Sequence, residues 1–95
     1  MEADERVHFI GIGGSGMSPL AHIMSGLGWR VSGSDIRYSP HLADLVAIGA
    51  QVYEGHDPSV VLGAVRVVVS AAVPDGDPEL AAARRLGIPV VTRAE

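Results

Sequence analysis

A glycine-rich turn between a short apolar run and an amphipathic segment constrains this chain more than any other feature. Val7-His8-Phe9-Ile10 reads as a strand that stops at Gly11, and from Gly16 a helical pattern begins, with Met17, Leu20, Ala21, Met24 and Leu27 on one face. The residues between, Gly11-Ile12-Gly13-Gly14-Ser15-Gly16, match G-x-G-x-x-G. Gly11 permits the tight turn, Gly13 lets a phosphate approach the backbone, and Gly16 lets helix pack closely on strand. The N–H groups of the first helical turn then favour an anion without any basic side chain. The dipole contributes only ~0.3–1 kcal/mol at exposed sites and up to ~2 when partly buried, so several hydrogen bonds must share the binding. A glycine turn can also serve packing alone; its place between strand and helix is what points to phosphate or diphosphate.

The rest of the chain repeats the strand–helix alternation. Trp29-Arg30-Val31-Ser32-Gly33 alternates like a second strand, and Gln51-Val52-Tyr53, Val65-Arg66-Val67-Val68-Val69 and Ile88-Pro89-Val90-Val91 follow. Ser39-Pro40, Asp57-Pro58 and Asp77-Pro78 each set an N-cap acceptor before a proline suited to the first helical position. Gly28, Gly49, Gly63 and Gly87 mark the helix ends, and the helix around Pro58–Leu62 is the shortest. Pro89 cannot donate to a sheet ladder, so its strand should start or edge the sheet. These signals predict an α/β, Rossmann-like parallel sheet of about five strands, order 3-2-1-4-5, with helices on both faces. At 95 residues and 9.9 kDa the chain has room for one domain. Glu95 falls where another helix could begin, so residues 1–95 read as one domain of a longer protein.

In that order, strands one and four flank the point where chain direction reverses, and ligands settle in such a crevice. Asp35, at the end of strand two, lies nineteen positions after Gly16, close to the offset of the acidic residue that accepts ribose hydroxyls in dinucleotide sites. A carboxylate suits a diol because it accepts two hydrogen bonds at once; the plainer alternative is that Asp35 starts a turn. Ser70-Ala71-Ala72, at the end of strand four, leave room for a ligand, with the Ser70 hydroxyl able to bond to it, although Ala there also fits simple packing. His8, His22, His41 and His56 show no metal-ligand spacing; His56 alone falls in a loop at the site end, where a turn role competes. No P-loop and no Ser-His-acid arrangement is present, so neither catalytic residues nor a metal site is expected within the chain.

Charge narrows the partners. Seven basic and eleven acidic residues give a net charge of −4, which argues against a general nucleic-acid surface. There is no cysteine, hence no thiolate chemistry. The N-terminal stretch is acidic rather than signal-like and no apolar run reaches membrane-spanning length, so a cytoplasmic location and no membrane partner are expected.

His8 through Ser18, Val31-Ser32-Gly33-Ser34-Asp35, Gly49-Ala50, Gly55-His56, Val67 through Ser70, and Asp77 through Leu80 with Arg84 through Val90 together resemble the N-terminal domain of the Mur ligase family of cell-wall enzymes, specifically the branch that joins L-alanine to UDP-N-acetylmuramate. The glycine loop extended by Met17-Ser18 is the most specific part. The resemblance implies a three-domain ligase of peptidoglycan biosynthesis, with ATP and Mg2+ held by absent domains, no cofactor in this segment, and no activity in isolation. ATP would phosphorylate the muramoyl carboxylate and the alanine amine would displace phosphate. UDP-N-acetylmuramate would bind here, its diphosphate on Gly11, Ile12, Gly13, Gly14, Ser15, Gly16 and Met17. Ser34 and Asp35 would lie near the uridine, and His56, Ser70, Ala71 and Ala72 would line the pocket. Ser15, Pro19 and His22 stand where that family more often has Ala, Gly and an acidic residue. A murein-peptide recycling ligase is the alternative within the family, an NAD- or flavin-binding module of an oxidoreductase or regulator the alternative outside it, and a non-binding scaffold the plainest.

Overall fold

A computed structural model describes residues 5–14, 16–37 and 39–93. Five parallel strands form one sheet: β1 Arg6–Ile10, β2 Arg30–Asp35, β3 Gln51–Glu54, β4 Arg66–Ser70 and β5 Val90–Arg93, in the spatial order β3-β2-β1-β4-β5. Three α-helices connect them: α1 Met17–Gly26, α2 Pro40–Ala47 and α3 Pro78–Arg85. The segment between β3 and β4 is a single 3₁₀ turn, Pro58–Val61, which accounts for its weak helical signal. The expected strand order therefore holds, and β5, preceded by Pro89, is an edge strand. Among the described residues no helix is long and apolar enough to cross a membrane.

Local chemistry sets these boundaries. Asp57 caps the 3₁₀ turn through Ser59 N–H, and Asp77 caps α3 by accepting from the N–H groups of Glu79 and Leu80 at 2.8 and 3.1 Å. At α2 the expectation needs correction: the Ser39 side chain makes no capping bond, and its backbone carbonyl accepts from Leu42 N–H at 3.0 Å instead. All three α-helices end alike. After the last helical turn a glycine in the left-handed region (Gly28, Gly49 or Gly87) reverses the chain. The next amide then bonds back into the helix: Trp29 to Met24, Ala50 to Leu45, Ile88 to Ala83. This is the Schellman closure, whose left-handed position favours a residue without Cβ.

The sheet is covered on both faces, and strand alternation sorts its side chains. Val7, Phe9, Val31 and Val68 join Met17 and Ala21 of α1 and Leu42 and Leu45 of α2 in one core cluster. Ile10, Val67 and Val69 join Val61, Leu80, Ala82 and Ala83 on the other face, under α3 and the 3₁₀ turn. On this second face His8 pairs in register with Ser32, and Ile10 with Ser34. Three polar residues therefore stand where a sheet sandwiched between helices would ordinarily be apolar.

Candidate functional site

The glycine turn is packed against two other strand ends. Gly11 has φ +81°, and a Cβ there would lie 3.1 Å from Ser70 Cβ and 3.2 Å from Val73 Cγ2. Gly13 N–H donates to Asp35 Oδ2 at 2.9 Å, and a Cβ on Gly13 would come within 2.8 Å of that oxygen. The side chain of Ile12 turns inward over Gly33 and is fully buried. The turn's amides are engaged: Gly11 and Ile12 both donate to Ser34 O, and Gly14 donates to Gly11 O at 3.0 Å. The expectation of an open amide cluster is corrected to this extent, because closing so tight a turn uses the first N–H groups for the turn itself. The one charged acceptor on the loop is the Asp35 carboxylate, which already shows that Gly13 N–H is directed at a position suited to a negatively charged oxygen.

A cavity of about 520 Å³ opens beside this turn, at the C-terminal ends of β1, β2 and β4. Gly11, Gly13 and Gly14 form one wall, Asp35, Ile36 and His56 a second, and Ser70 with Ala72, Val73, Pro74, Gly76, Asp77 and Pro78 a third. Among the described residues no lysine or arginine lines it. The crevice lies where strand order reverses between β1 and β4, the position that doubly wound sheets use for ligands.

Of the residues singled out from sequence, Gly11, Gly13, Gly14, Asp35, His56, Ser70 and Ala72 meet at this cavity. Ile12 and Met17 do not, because both side chains are fully buried in the core on the α1 face. Gly16 begins α1 away from the lining, and Ser15 lies outside the described residues. Ser34 is fully buried beneath the floor. Ala71 is exposed outside the lining, its N–H donating to Arg93 O of β5 at 3.2 Å. Ser70 Oγ accepts from Ala72 N–H at 3.2 Å, which folds the loop after β4 back on itself. Sequence reasoning missed Ile36, Val73 and Asp77 as wall residues; Asp77 was read only as a helix cap, a role it also fills.

Beneath the cavity runs a buried polar network. His8 lies 2.7 Å through Nδ1 from Ser32 Oγ and 2.8 Å through Nε2 from Glu79 Oε1. Ser34 donates to the same Glu79 oxygen at 2.6 Å, and Asp57 N–H donates to Oε2 at 2.9 Å. His8, Ser32, Ser34 and Glu79 are all 0% exposed, so the polar groups must satisfy one another. Arg6 reaches in from the opposite end of β1 and donates to Ser32 Oγ and to the carbonyls of Val60 and Leu62. Burial lowers the Arg6 pKa from its ordinary value, though a guanidinium stays charged. For Glu79, burial pushes the carboxyl up, but the hydrogen bonds from His8, Ser34 and Asp57 N–H outweigh it, and the net effect is a lowered pKa. At the cavity end, His56 Nδ1 lies 3.2 Å from both Ser34 Oγ and Asp77 Oδ2.

Comparison with known proteins agrees with this architecture. The family described as "Mur ligase family, catalytic domain" matches residues 6–95. The UDP-N-acetylmuramate–L-alanine ligase of Solibacter usitatus is 48% identical over 91 residues, which are 96% of this chain and 19% of that protein. The UDP-N-acetylmuramate-alanine ligase MurC of Thermotoga maritima superposes with TM-score 0.88 at 33% identity, over 93% of this chain and 20% of that one. The UDP-N-acetylmuramate:L-alanyl-gamma-D-glutamyl-meso-diaminopimelate ligase of Neisseria meningitides gives TM-score 0.83 at 35% identity, over 94% and 28% respectively. The chain thus spans about a fifth of the length of the curated relatives it matches.

Proposed function

This chain belongs to the Mur ligase family, and from that premise we propose that residues 1–95 are the N-terminal, UDP-N-acetylmuramate-binding domain of the peptidoglycan ligase that adds L-alanine to that sugar nucleotide. The carrying observation is the cavity: a glycine wall, an acidic strand end and a small-residue loop meet at the switch point, with no lysine or arginine among the described lining residues. Such a site suits a diphosphate seated against the glycine wall, where the N–H groups of residues 11–14 already serve Ser34 O, Gly11 O and Asp35 and no Cβ intrudes, and a ribose held by a carboxylate. Asp35 fits the second task while already serving the first wall. Its Oδ2 takes Gly13 N–H, and its Oδ1 has only a 3.5 Å contact with Arg37 N–H, which leaves acceptor capacity for ribose hydroxyls. Ile36, 71% exposed at the rim, offers an apolar surface for a base.

The related proteins support the sugar nucleotide as ligand more directly than the amino acid. The alanine ligases and the tripeptide ligase share UDP-N-acetylmuramate and differ in what is joined to it. The L-alanine assignment rests on the curated relatives, at 47–52% identity. ATP and Mg2+, which supply phosphoryl activation of the carboxyl, do not fit the residues here: the sequence has no P-loop, and no lysine lines the cavity. The remainder of a longer, cytoplasmic protein would hold both, together with L-alanine. This chain binds and orients the nucleotide end and performs no chemical step itself.

Thermal melting with UDP-N-acetylmuramate, UDP and NAD tests the reading. A ligand that binds only the native state at 100 times its Kd stabilises by about 2.7 kcal/mol. The expected result is a shift with both uridine nucleotides and none with NAD. A shift with NAD alone refutes the assignment in favour of a dinucleotide module.

A further inference from the structure

The hydrogen positions of the buried network follow from which groups can donate and which can only accept. Arg6 has no acceptor, so Ser32 Oγ accepts from it and pairs with His8 Nδ1, 2.7 Å away. Glu79 is a carboxylate, so His8 donates to its Oε1 from Nε2 at 2.8 Å. Ser34 donates to the same oxygen, and Asp57 N–H donates to Oε2. Glu79 thus accepts from three directions and donates to none. Ser34 has given its only hydrogen to Glu79, so towards His56 Nδ1, 3.2 Å away, it can only accept. The other groups facing Nδ1 are Asp77 Oδ2 at 3.2 Å and Glu79 Oε2 at 3.5 Å, both acceptors. The carboxylate of Asp57, next in the chain, is turned to the N–H and hydroxyl of Ser59, and that of Asp35 to Gly13 N–H. The proton of neutral His56 must then sit on Nδ1, leaving the lone pair on Nε2. That nitrogen has no hydrogen-bond partner among the described residues and is not a buried unsatisfied atom, so it reaches solvent, on a residue that lines the cavity.

We propose that Glu79, acting through Ser34, is a positioning residue that presents His56 to the cavity as a hydrogen-bond acceptor, so that this wall selects a ligand N–H or O–H rather than a phosphate oxygen. The complementary donor is the imide N–H of a uracil or a sugar hydroxyl. The ligand half of this inference rests on the sugar-nucleotide reading above; the proton arrangement does not.

Two measurements on the 95-residue chain test it. Long-range 1H–15N spectra of the ligand-free protein, with His56 assigned by its absence in His56→Gln, should show the Nδ1–H tautomer of the neutral ring. Predominant Nε2–H overturns the proposal. Glu79→Gln, folded by circular dichroism, should raise the Nε2–H population, because Ser34 regains a hydrogen to offer His56; an unchanged tautomer removes Glu79 from the role. Should that variant not fold, the tautomer of the parent chain, which needs no substitution, still decides the proposal, and predominant Nε2–H there overturns it. Affinity for UDP-N-acetylmuramate should fall at least about tenfold in His56→Leu, which removes the acceptor. Parental affinity in that variant overturns the acceptor assignment. Absence of binding by the parent chain refutes the sugar-nucleotide reading, while the tautomer still decides this one. Methylating the uracil N3 of UDP separates the two donors: weaker binding assigns the imide, and unchanged binding excludes it.

Discussion

Replacing Gly33 by alanine should damage this protein from a position that neither lines the cavity nor needs an unusual backbone. Gly33 has no positive φ, yet a Cβ placed on it would lie 2.4 Å from Ile12 Cδ1 and 2.7 Å from Ile12 Cβ. The first contact can be relieved by a rotamer change. The second cannot, because the Ile12 Cβ is fixed to the backbone of the turn. Either β2 or the turn must move, and the turn is tied to β2 by the bonds from Gly11 and Ile12 to Ser34 O. Overpacking of this kind costs about 2–3 kcal/mol, which for a domain of this size lowers Tm by about 8–24 °C. Calorimetry or circular dichroism measures it directly. Gly26→Ala is the internal control: it adds the same methyl group, at the end of α1 with open space around it, and should stabilise by about 0.5–1 kcal/mol. Ile12→Val in the Gly33→Ala background should recover only part of the loss, since Cβ remains. A Gly33→Ala protein that melts within about 2 °C of the parent, well under the shift expected for 1 kcal/mol, would refute the argument that the turn is seated on that glycine.

Two further outcomes follow from the same geometry. Gly13→Ala would place its methyl 2.8 Å from Asp35 Oδ2, the end of a side chain that can swing away, so folding should survive with a loss below about 1 kcal/mol. Binding of UDP-N-acetylmuramate should weaken at least about tenfold, equivalent to ~1.4 kcal/mol, and calorimetric titration giving parental affinity would exclude this wall from the ligand. The lowered pKa of Glu79 stabilises the fold fully above its ordinary value of 4.5, and that contribution disappears as pH falls through the lower folded value. Denaturant melts between neutrality and acid should therefore lose stability below about pH 4.5, and Glu79→Gln should show a flatter acid limb; an equally steep one would assign acid sensitivity elsewhere.

The framework was legible in the sequence because its signals are local. Proline after an N-cap residue and glycine after the last helical turn marked the helices, and the βα alternation with right-handed crossovers fixed the strand order. The glycine turn, Asp35 and Ser70 were legible as a site because all lie at strand ends that the topology brings together. The polar network was not. Ser32 and Ser34 alternate with Val31 and Gly33 in a way that suggests a half-solvated strand, whereas both are fully buried. What makes them tolerable is Glu79, 45 residues from Ser34 and 71 from His8 in the chain, and no local pattern reveals a partner at that distance. Ile12 and Met17 misled for a similar reason: they belong to the loop motif, but side-chain direction, set by packing over Gly33 and against the α1 face, sends them into the core.

The shared way in which the helices stop divides the molecule into two unequal ends. Helix-to-strand connections take three residues (27–29), three (48–50) and four (86–89), each pinned by a glycine reversal. Strand-to-helix connections on the cavity side take six (11–16), four (36–39) and seven (71–77). The lower rim acts as a fixed hem that holds strand register whatever is grafted above it. The cavity lining can therefore vary at the strand ends and upper loops without touching that hem, whereas a deletion at Gly28 or Gly49 would unpick the fabric with every lining residue unchanged.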